Sequence, residues 1–415
     1  MLRQTAHPTE SRYEVLALFT VSMISSSLLV VAVGALLPYV AAAFPHSREQ
    51  VCYLVTALLF GAMVTNAVSG AATDRFGDRA VLGVCGGIMG VSLLAAAAIP
   101  SFSWLLAWFV IYGMGFAAMN PVGSHAILFF FKPEERGLAM GVRQMGVPLG
   151  GVAGGIVLAT AAEYAGYRGA LAAAGALVLI VTVACALLYR EPSALQGHPV
   201  RAGVLLSEML RIGLQPRLLL IAAAAFILFA GQVALMGFFP LTLMNGAHLT
   251  AAFASIFFVL SQFAGAAGRL TWGWLSDRRF GGDRLKPLAI VCVCCALAAF
   301  AVGHSAGMRA PALAAVAVVL GFCAEGWFGL AIIAMAEAGG EKDAGSALGL
   351  GMTIVMAAGV VTPPLFQSLM NNGGIAAAWN ALALLSLAGV IPILAAIALS
   401  KRGRVHSGTL AEPVK

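Results

Sequence analysis

The sequence predicts an all-α membrane protein: twelve transmembrane helices arranged as two pseudo-symmetric six-helix bundles. Three observations carry this expectation. Of the 415 residues, 61% are hydrophobic and only 10% charged, against about 25% charged in soluble domains. Apolar stretches close to the roughly 20 residues that a spanning helix needs follow one another almost from end to end. The third observation is an internal repeat, in which a loop and a helix pair from the first half of the chain recur in the second.

Spanning helices, numbered one to twelve, are placed at 15–42, 50–72, 79–99, 103–130, 136–161, 169–189, 217–243, 250–275, 286–304, 310–335, 345–370 and 375–399. One polar stretch is long enough to be a linker and follows span six. The chain therefore divides into an N-terminal bundle (1–189), a cytoplasmic linker (190–216), a C-terminal bundle (217–400) and a cytoplasmic tail (401–415). The first apolar segment is too long for a signal-peptide core and lacks a small-residue cleavage site, so no cleavable leader is expected.

Orientation follows from the loops, because cytoplasmic loops concentrate Lys and Arg. With the N-terminus inside, 19 of the 24 Lys and Arg fall on the cytoplasmic side. Only Arg48, Arg168 and Arg309 fall outside, and Arg143 and Arg269 lie within helices. Both termini are then cytoplasmic, as an even number of spans requires. The net charge of +7 is accounted for by these loops and does not point to nucleic acid. The seven cysteines, including the run Cys292-Val293-Cys294-Cys295, lie among apolar residues with no His or carboxylate nearby. They read as packing residues, and no metal site is expected.

The repeat is explicit in the residues. After span two the chain reads Gly70-Ala-Ala-Thr-Asp74-Arg75-Phe-Gly77-Asp-Arg79, and after span eight Gly273-Trp-Leu-Ser-Asp277-Arg278-Arg-Phe-Gly281-Gly-Asp-Arg284. At a second constant offset, spans four and five match spans ten and eleven, pairing Gly113 with Gly321, Ala126 with Ala334, Gly137 with Gly345, Ala139 with Ala347 and Gly141 with Gly349.

The first loop matches G-x-x-x-D-R-x-G-x-[RK], the signature of the major facilitator superfamily, and the second is its weaker copy at the position that family uses. The resemblance covers the whole chain. It implies a secondary transporter that rocks around a site between its halves, near mid-membrane. It also implies that Gly70, Asp74, Arg75, Gly77, Arg79, Gly273, Asp277 and Arg278 form a gate, each Asp meeting a neighbouring helix N-terminus and an Arg to close the cytoplasmic side. Span five carries Gly146-Val-Pro148-Leu-Gly150-Gly151-Val-Ala-Gly154-Gly155. This resembles the family's antiporter motif but has Val147 between Gly146 and Pro148, and it reads as a packing and bending element. Phe109 stands where proton-driven drug exporters of the family carry an Arg before the Gly113 position, which speaks against drug efflux.

Three formal charges lie inside spans, where charge is costly and usually functional: Arg143, Arg269 and Glu325. Arg269 is eight residues before Asp277, about 12 Å into the membrane. Its counterpart in span two is Asn66. Arg269 resembles the span-eight Arg that binds carboxylate in monocarboxylate and oxalate/formate transporters, and a guanidinium fork suits carboxylate oxygens. The alternative is a structural Arg on backbone carbonyls. Arg143, beside Gln144, is a second anion ligand, a partner for Glu325 or part of the inner gate. Glu325, near mid-depth in span ten, suits a coupling proton, or else pairs statically with Arg143 or Arg269. Asn66, Asn120, Ser124, His125, Gln232 and Gln262 complete the polar lining, with His125, toward the cytoplasmic end of span four, read as structural.

No Walker-type loop, zinc spacing, nucleophile triad or dinucleotide fingerprint is present. No enzyme and no cofactor are expected. The sequence therefore points to a monomeric transporter of a small organic anion, a carboxylate, embedded in lipid in a prokaryotic inner membrane, with proton coupling as one of the two readings of Glu325. Substrate ligands would be Arg269, Arg143, Gln144, Asn66, Asn120, Gln232 and Gln262, with Glu325 as the proton carrier. The alternatives are an exporter of drugs or hydrophobic metabolites, and a non-transporting sensor on the same fold.

Overall fold

A computed structural model describes residues 12–45, 47, 53–192 and 211–408. Arg3, Arg48, Cys52, most of the linker and Lys415 lie outside the described residues. Within them the chain is helical, with no strand, and eight helical segments are long and apolar enough to cross a membrane. Some of these hold two crossings. Tyr53–Ala98 has 46 residues, about 69 Å if straight and more than twice the hydrocarbon thickness; it doubles back at Gly77 as spans two and three. The helix Gly146–Leu188 turns back at Ala165 and Gly166, and Phe328–Ala388 turns at Gly340 and Gly374. With these reversals the chain makes twelve crossings in two bundles of six.

Helix starts follow local chemistry. Spans four and eight open on hydroxyl caps: Ser101 accepts from the Trp104 N–H and Thr250 from the Phe253 N–H. Spans seven and ten open with a proline in the first turn, where its missing N–H is harmless. The outer faces of the helices are apolar and exposed, as at Val68, Ile156, Phe263, Leu297 and Leu384, which is the surface lipid would cover.

Each bundle has its own core. One cluster is drawn wholly from residues between Val15 and Tyr189. The other runs from Ile212 to Ala396, joined from the first bundle by Leu16, Ile127, Leu128, Phe131, Ala139 and Met140. The glycine-rich stretch of span five packs against span one. A Cβ at Gly146, Gly150 or Gly154 would collide with Met23, with Ile24 O and Ser27, or with Leu28 O. Small residues are thus what allow these two helices to touch.

Spans four and ten are both broken near the same point of the repeat. Span four runs as Phe102–Phe116, a tight turn at Ala117–Met119, then Ser124–Phe130. Gly123, with φ 80°, closes the break in a conformation that disfavours a Cβ. Span ten runs as Ala310–Ala324 and resumes at Phe328, leaving Glu325 at the break.

Candidate functional site

The loop motifs lie at the contact between the bundles, and each grips the opposite one. Asp74, at the end of span two, accepts the N–H groups of Gly345 (2.8 Å) and Ser346 (2.6 Å) in span eleven. Asp277, at the end of span eight, accepts those of Gly137 (3.1 Å) and Leu138 (2.7 Å) in span five. The arrangement is two-fold symmetric, and it uses the electropositive start of a helix to hold a carboxylate. It also accounts for the second repeat. A Cβ on Gly70 would collide with the Gly345 carbonyl, and one on Gly273 with the Gly137 carbonyl. The face bearing the motifs is therefore bonded shut.

The two loops differ in their other partners. Arg284 donates to Asp277, Ser276 Oγ and the Pro133 carbonyl, and its Nε lies 3.8 Å from Glu337. The second loop has two more residues between its Asp and its last Arg than the first, and this length lets Arg284 fold back. Arg79, at the matching end of the first loop, donates instead to the Ala186 carbonyl at 3.0 Å. Arg75 lies over the Phe76 ring, and Arg278 is exposed. Glu337 also lies 3.9 Å from Arg136. Burial pushes its carboxyl up, against the pull of Arg284, Arg136 and Arg217.

Deeper in the membrane a second cluster joins the bundles. Arg269 Nη2 donates to Glu325 Oε2 at 2.9 Å, and both side chains are about one-twentieth exposed or less (5% and 4%). Arg269 Nη1 donates to the Gln144 carbonyl of the opposite bundle at 2.9 Å, and Gln232 Nε2 donates to the same Glu325 oxygen at 2.9 Å. Glu325 rests against Gly265 of span eight, where any Cβ would overlap its side chain. Of the predicted site residues, the structure thus brings Arg269, Glu325, Gln232 and Gln144 together.

Arg143 is placed differently. Its guanidinium donates to the carbonyls of Met119 and Val122 (2.6 Å for Val122), which the break in span four leaves free. Asn120 Oδ1 accepts from Gln144 Nε2 at a long 3.4 Å. Asn66, two turns from Asp74 on span two, packs its backbone against Gly349. Several of these residues keep a buried polar atom without a hydrogen-bond partner among the described residues: Glu325 Oε1, Gln232 Oε1, Gln144 Oε1, Gln262 Nε2 and Asn66 Oδ1. Such atoms are costly unless something hydrogen-bonds to them. The Gln144 carbonyl as a ligand of Arg269 was not foreseen from sequence. An Arg on the loop Asp was implied by the resemblance, and at Asp277 it is Arg284.

Two six-helix bundles, interlocking loop motifs and a buried ion pair of the second bundle tied to the first through the Gln144 carbonyl define a polytopic membrane transporter. The sequence profile of the Major Facilitator Superfamily matches residues 15–363 and 221–413, and the chain belongs to that family. A transporter of the same family from Mycobacterium tuberculosis is 28% identical over 338 residues, 81% of this chain and 73% of the relative. Monocarboxylate transporter 11 of Mus musculus is 28% identical over 377 residues, 86% of this chain and 80% of the relative. Among solved structures, the transporter FucP in an outward conformation (a fucose:proton symporter of E. coli) superposes with a TM-score of 0.75 at 16% identity, covering 93% of this chain and 99% of FucP. Proteins of this family move solutes and are not enzymes.

Proposed function

We propose that the protein is a proton-coupled transporter of a small organic carboxylate, working by alternating access. The observation that carries this reading is the buried Arg269–Glu325 pair, at 2.9 Å and bridged to the other bundle through the Gln144 carbonyl. A relative named for monocarboxylates, aligned over most of both chains, agrees with it.

The chemistry is a competition for one guanidinium. Arg269 spends Nη1 on Gln144 and Nη2 on Glu325. A proton on Glu325 would neutralise it and free Nη2 for a substrate carboxylate, which a planar fork suits. One proton and one monovalent anion then enter together, and the site stays neutral overall. That matters because moving one uncompensated charge through 100 mV costs or gains about 2.3 kcal/mol. The unpartnered atoms of Gln144, Gln232, Gln262 and Asn66 would hydrogen-bond the rest of the substrate. Arg143 serves the site through the break in span four, which it holds with Asn120 alongside. In this reading residues 1–189 and 217–400 are the moving bodies of a monomer. The loop motifs close the cytoplasmic face, and the protein sits in a prokaryotic cytoplasmic membrane with both termini inside.

The test is thermal stabilisation of the purified protein by a panel of small carboxylates and neutral controls, on the native protein and on Arg269→Ala. A ligand at 100 times its Kd stabilises the native state by about 2.7 kcal/mol. Stabilisation by carboxylates that disappears in Arg269→Ala is expected. Stabilisation only by neutral or cationic compounds would overturn the anion reading and favour an exporter of hydrophobic metabolites.

A further inference from the structure

The two loop motifs close the same face with different cations. At the second loop Asp277 is held by Arg284, a guanidinium charged at any physiological pH. Beside Asp74 the corresponding place is taken by an imidazole. His125 Nε2 lies 2.8 Å from Asp74 Oδ1 and accepts the Gly345 N–H at 3.1 Å, and Nδ1 lies 3.8 Å from Asp78 Oδ1. Both ring nitrogens thus lie beside a carboxylate, and a proton added to the ring would turn Nε2 from an acceptor of the Gly345 N–H into a donor toward Asp74.

Asp78 is wholly buried. Its Oδ2 accepts the Ala126 N–H at 3.2 Å, and its Oδ1 has no hydrogen-bond partner among the described residues. Glu191, just past span six, reaches over Gly77, and its Oε1 accepts the Asp78 N–H at 2.5 Å. The charged groups around the cluster are Asp74 from span two, Asp78 from the loop, Glu191 from the start of the linker and Arg143 from span five. Span eleven contributes the Gly345 and Ser346 amides. Burial first, and then the charge of Asp78, push the Glu191 carboxyl up to about 7. Burial likewise pushes the Asp78 carboxyl up, although His125 and Arg143 oppose it.

We infer that Asp78, His125 and Glu191 form a proton-binding site separate from the Arg269–Glu325 pair, and that protons held there keep the first loop clasped to span eleven. The inference rests on the loops acting as a gate and is independent of the substrate. The sign follows from linkage. Carboxyls that are buried together in the closed gate and solvated in the open one hold their protons more tightly when it is closed, so protonation favours closure. The closed gate is then favoured below about pH 7 and loses that advantage as pH rises through it. Fully deprotonated, the cluster would set three carboxylates around a neutral ring, with Nδ1 or Nε2 left without a proton to donate. Asp277, served by a permanent cation, has no equivalent dependence on an imidazole.

The experiment is hydrogen–deuterium exchange of the full-length protein in detergent without substrate, corrected for the intrinsic effect of pH on exchange. Protection of the Gly345 and Ser346 amides should fall by about tenfold or more between about pH 6 and about pH 8.5, since one unit of pKa difference between states supplies a factor of ten. Glu191→Gln and His125→Gln should flatten that response, and Glu325→Gln should keep it. A flat response in the native protein would overturn the inference. So would a response that survives in Glu191→Gln, or one lost only in Glu325→Gln, which would place the proton at the central pair. Glu191 is half-buried at the edge of the fold, so its Gln variant decides the matter even if His125→Gln does not fold.

Discussion

Replacing Arg269 by Gln should cost far more stability when done alone than when Glu325 is replaced with it. In the native protein the two side chains are bonded at 2.9 Å and nearly fully buried. Removing the guanidinium leaves a buried carboxylate that has lost its charged donor and keeps the Gln232 amide. Breaking a buried pair in this way costs about 3–5 kcal/mol. Glu325→Gln alone forfeits a charge-assisted bond, about 1.5–3 kcal/mol, while Arg269 keeps the Gln144 carbonyl. The double variant carries no buried charge at the site and should lie above Arg269→Gln. The assay is thermal unfolding in one detergent, with the scan rate fixed because irreversible unfolding makes the midpoint depend on rate. Each bundle is comparable in size to domains in which 1 kcal/mol moves the midpoint by about 2–4 °C. Arg269→Gln should therefore lower it by about 6 °C or more. A double variant that falls by the sum of the two singles would refute the reasoning, because two side chains whose losses add do not interact.

Two further substitutions test the gate and its turn. Gly70→Val puts side-chain atoms against the Gly345 carbonyl, so the Gly345 and Ser346 amides should lose protection from hydrogen exchange at every pH; Gly231→Ala, which faces open space, should leave them unchanged. Gly77→Ala meets both a φ of 81° and the Glu191 carboxylate, and should cost about 1–3 kcal/mol in the unfolding midpoint. Adding Glu191→Ala should relieve the collision but not the backbone term.

The architecture was legible because the bilayer imposes strong rules on sequence. Spans, reversals and the symmetric loop contacts could all be read from apolar length, loop charge and a loop motif that occurs twice. Even the paired glycines at 137 and 345 were visible as a repeat, although their purpose, close contact with Gly273 and Gly70, needed three dimensions. The buried polar cluster was legible in its members more than in its bonds. Arg269 and Glu325 stood out because charge inside a span is rare, and their pairing was one of the alternatives for Glu325, which spacing left undecided between Arg143 and Arg269. Arg143 stood out for the same reason, yet its guanidinium answers to carbonyls freed by a break in another helix. Backbone groups such as the Gln144 carbonyl leave no mark on a sequence. Asp78 and Glu191 lie far apart along the chain, and only folding brings them to one imidazole.

The ion pair is distributed unevenly between the bundles. Arg269 and Glu325 both belong to the second, and their counterparts in the first are Asn66 and Ala117, which carry no charge. The first bundle offers Arg269 a single peptide oxygen. A passenger held by the charged groups would therefore travel seated in one half, while the other half slides past as a wall. Most of its grip would survive when that wall withdraws, so the berth would hold a carboxylate about equally well from either side of the membrane. Direction would then be set by the gradients outside, not by any preference in the seat.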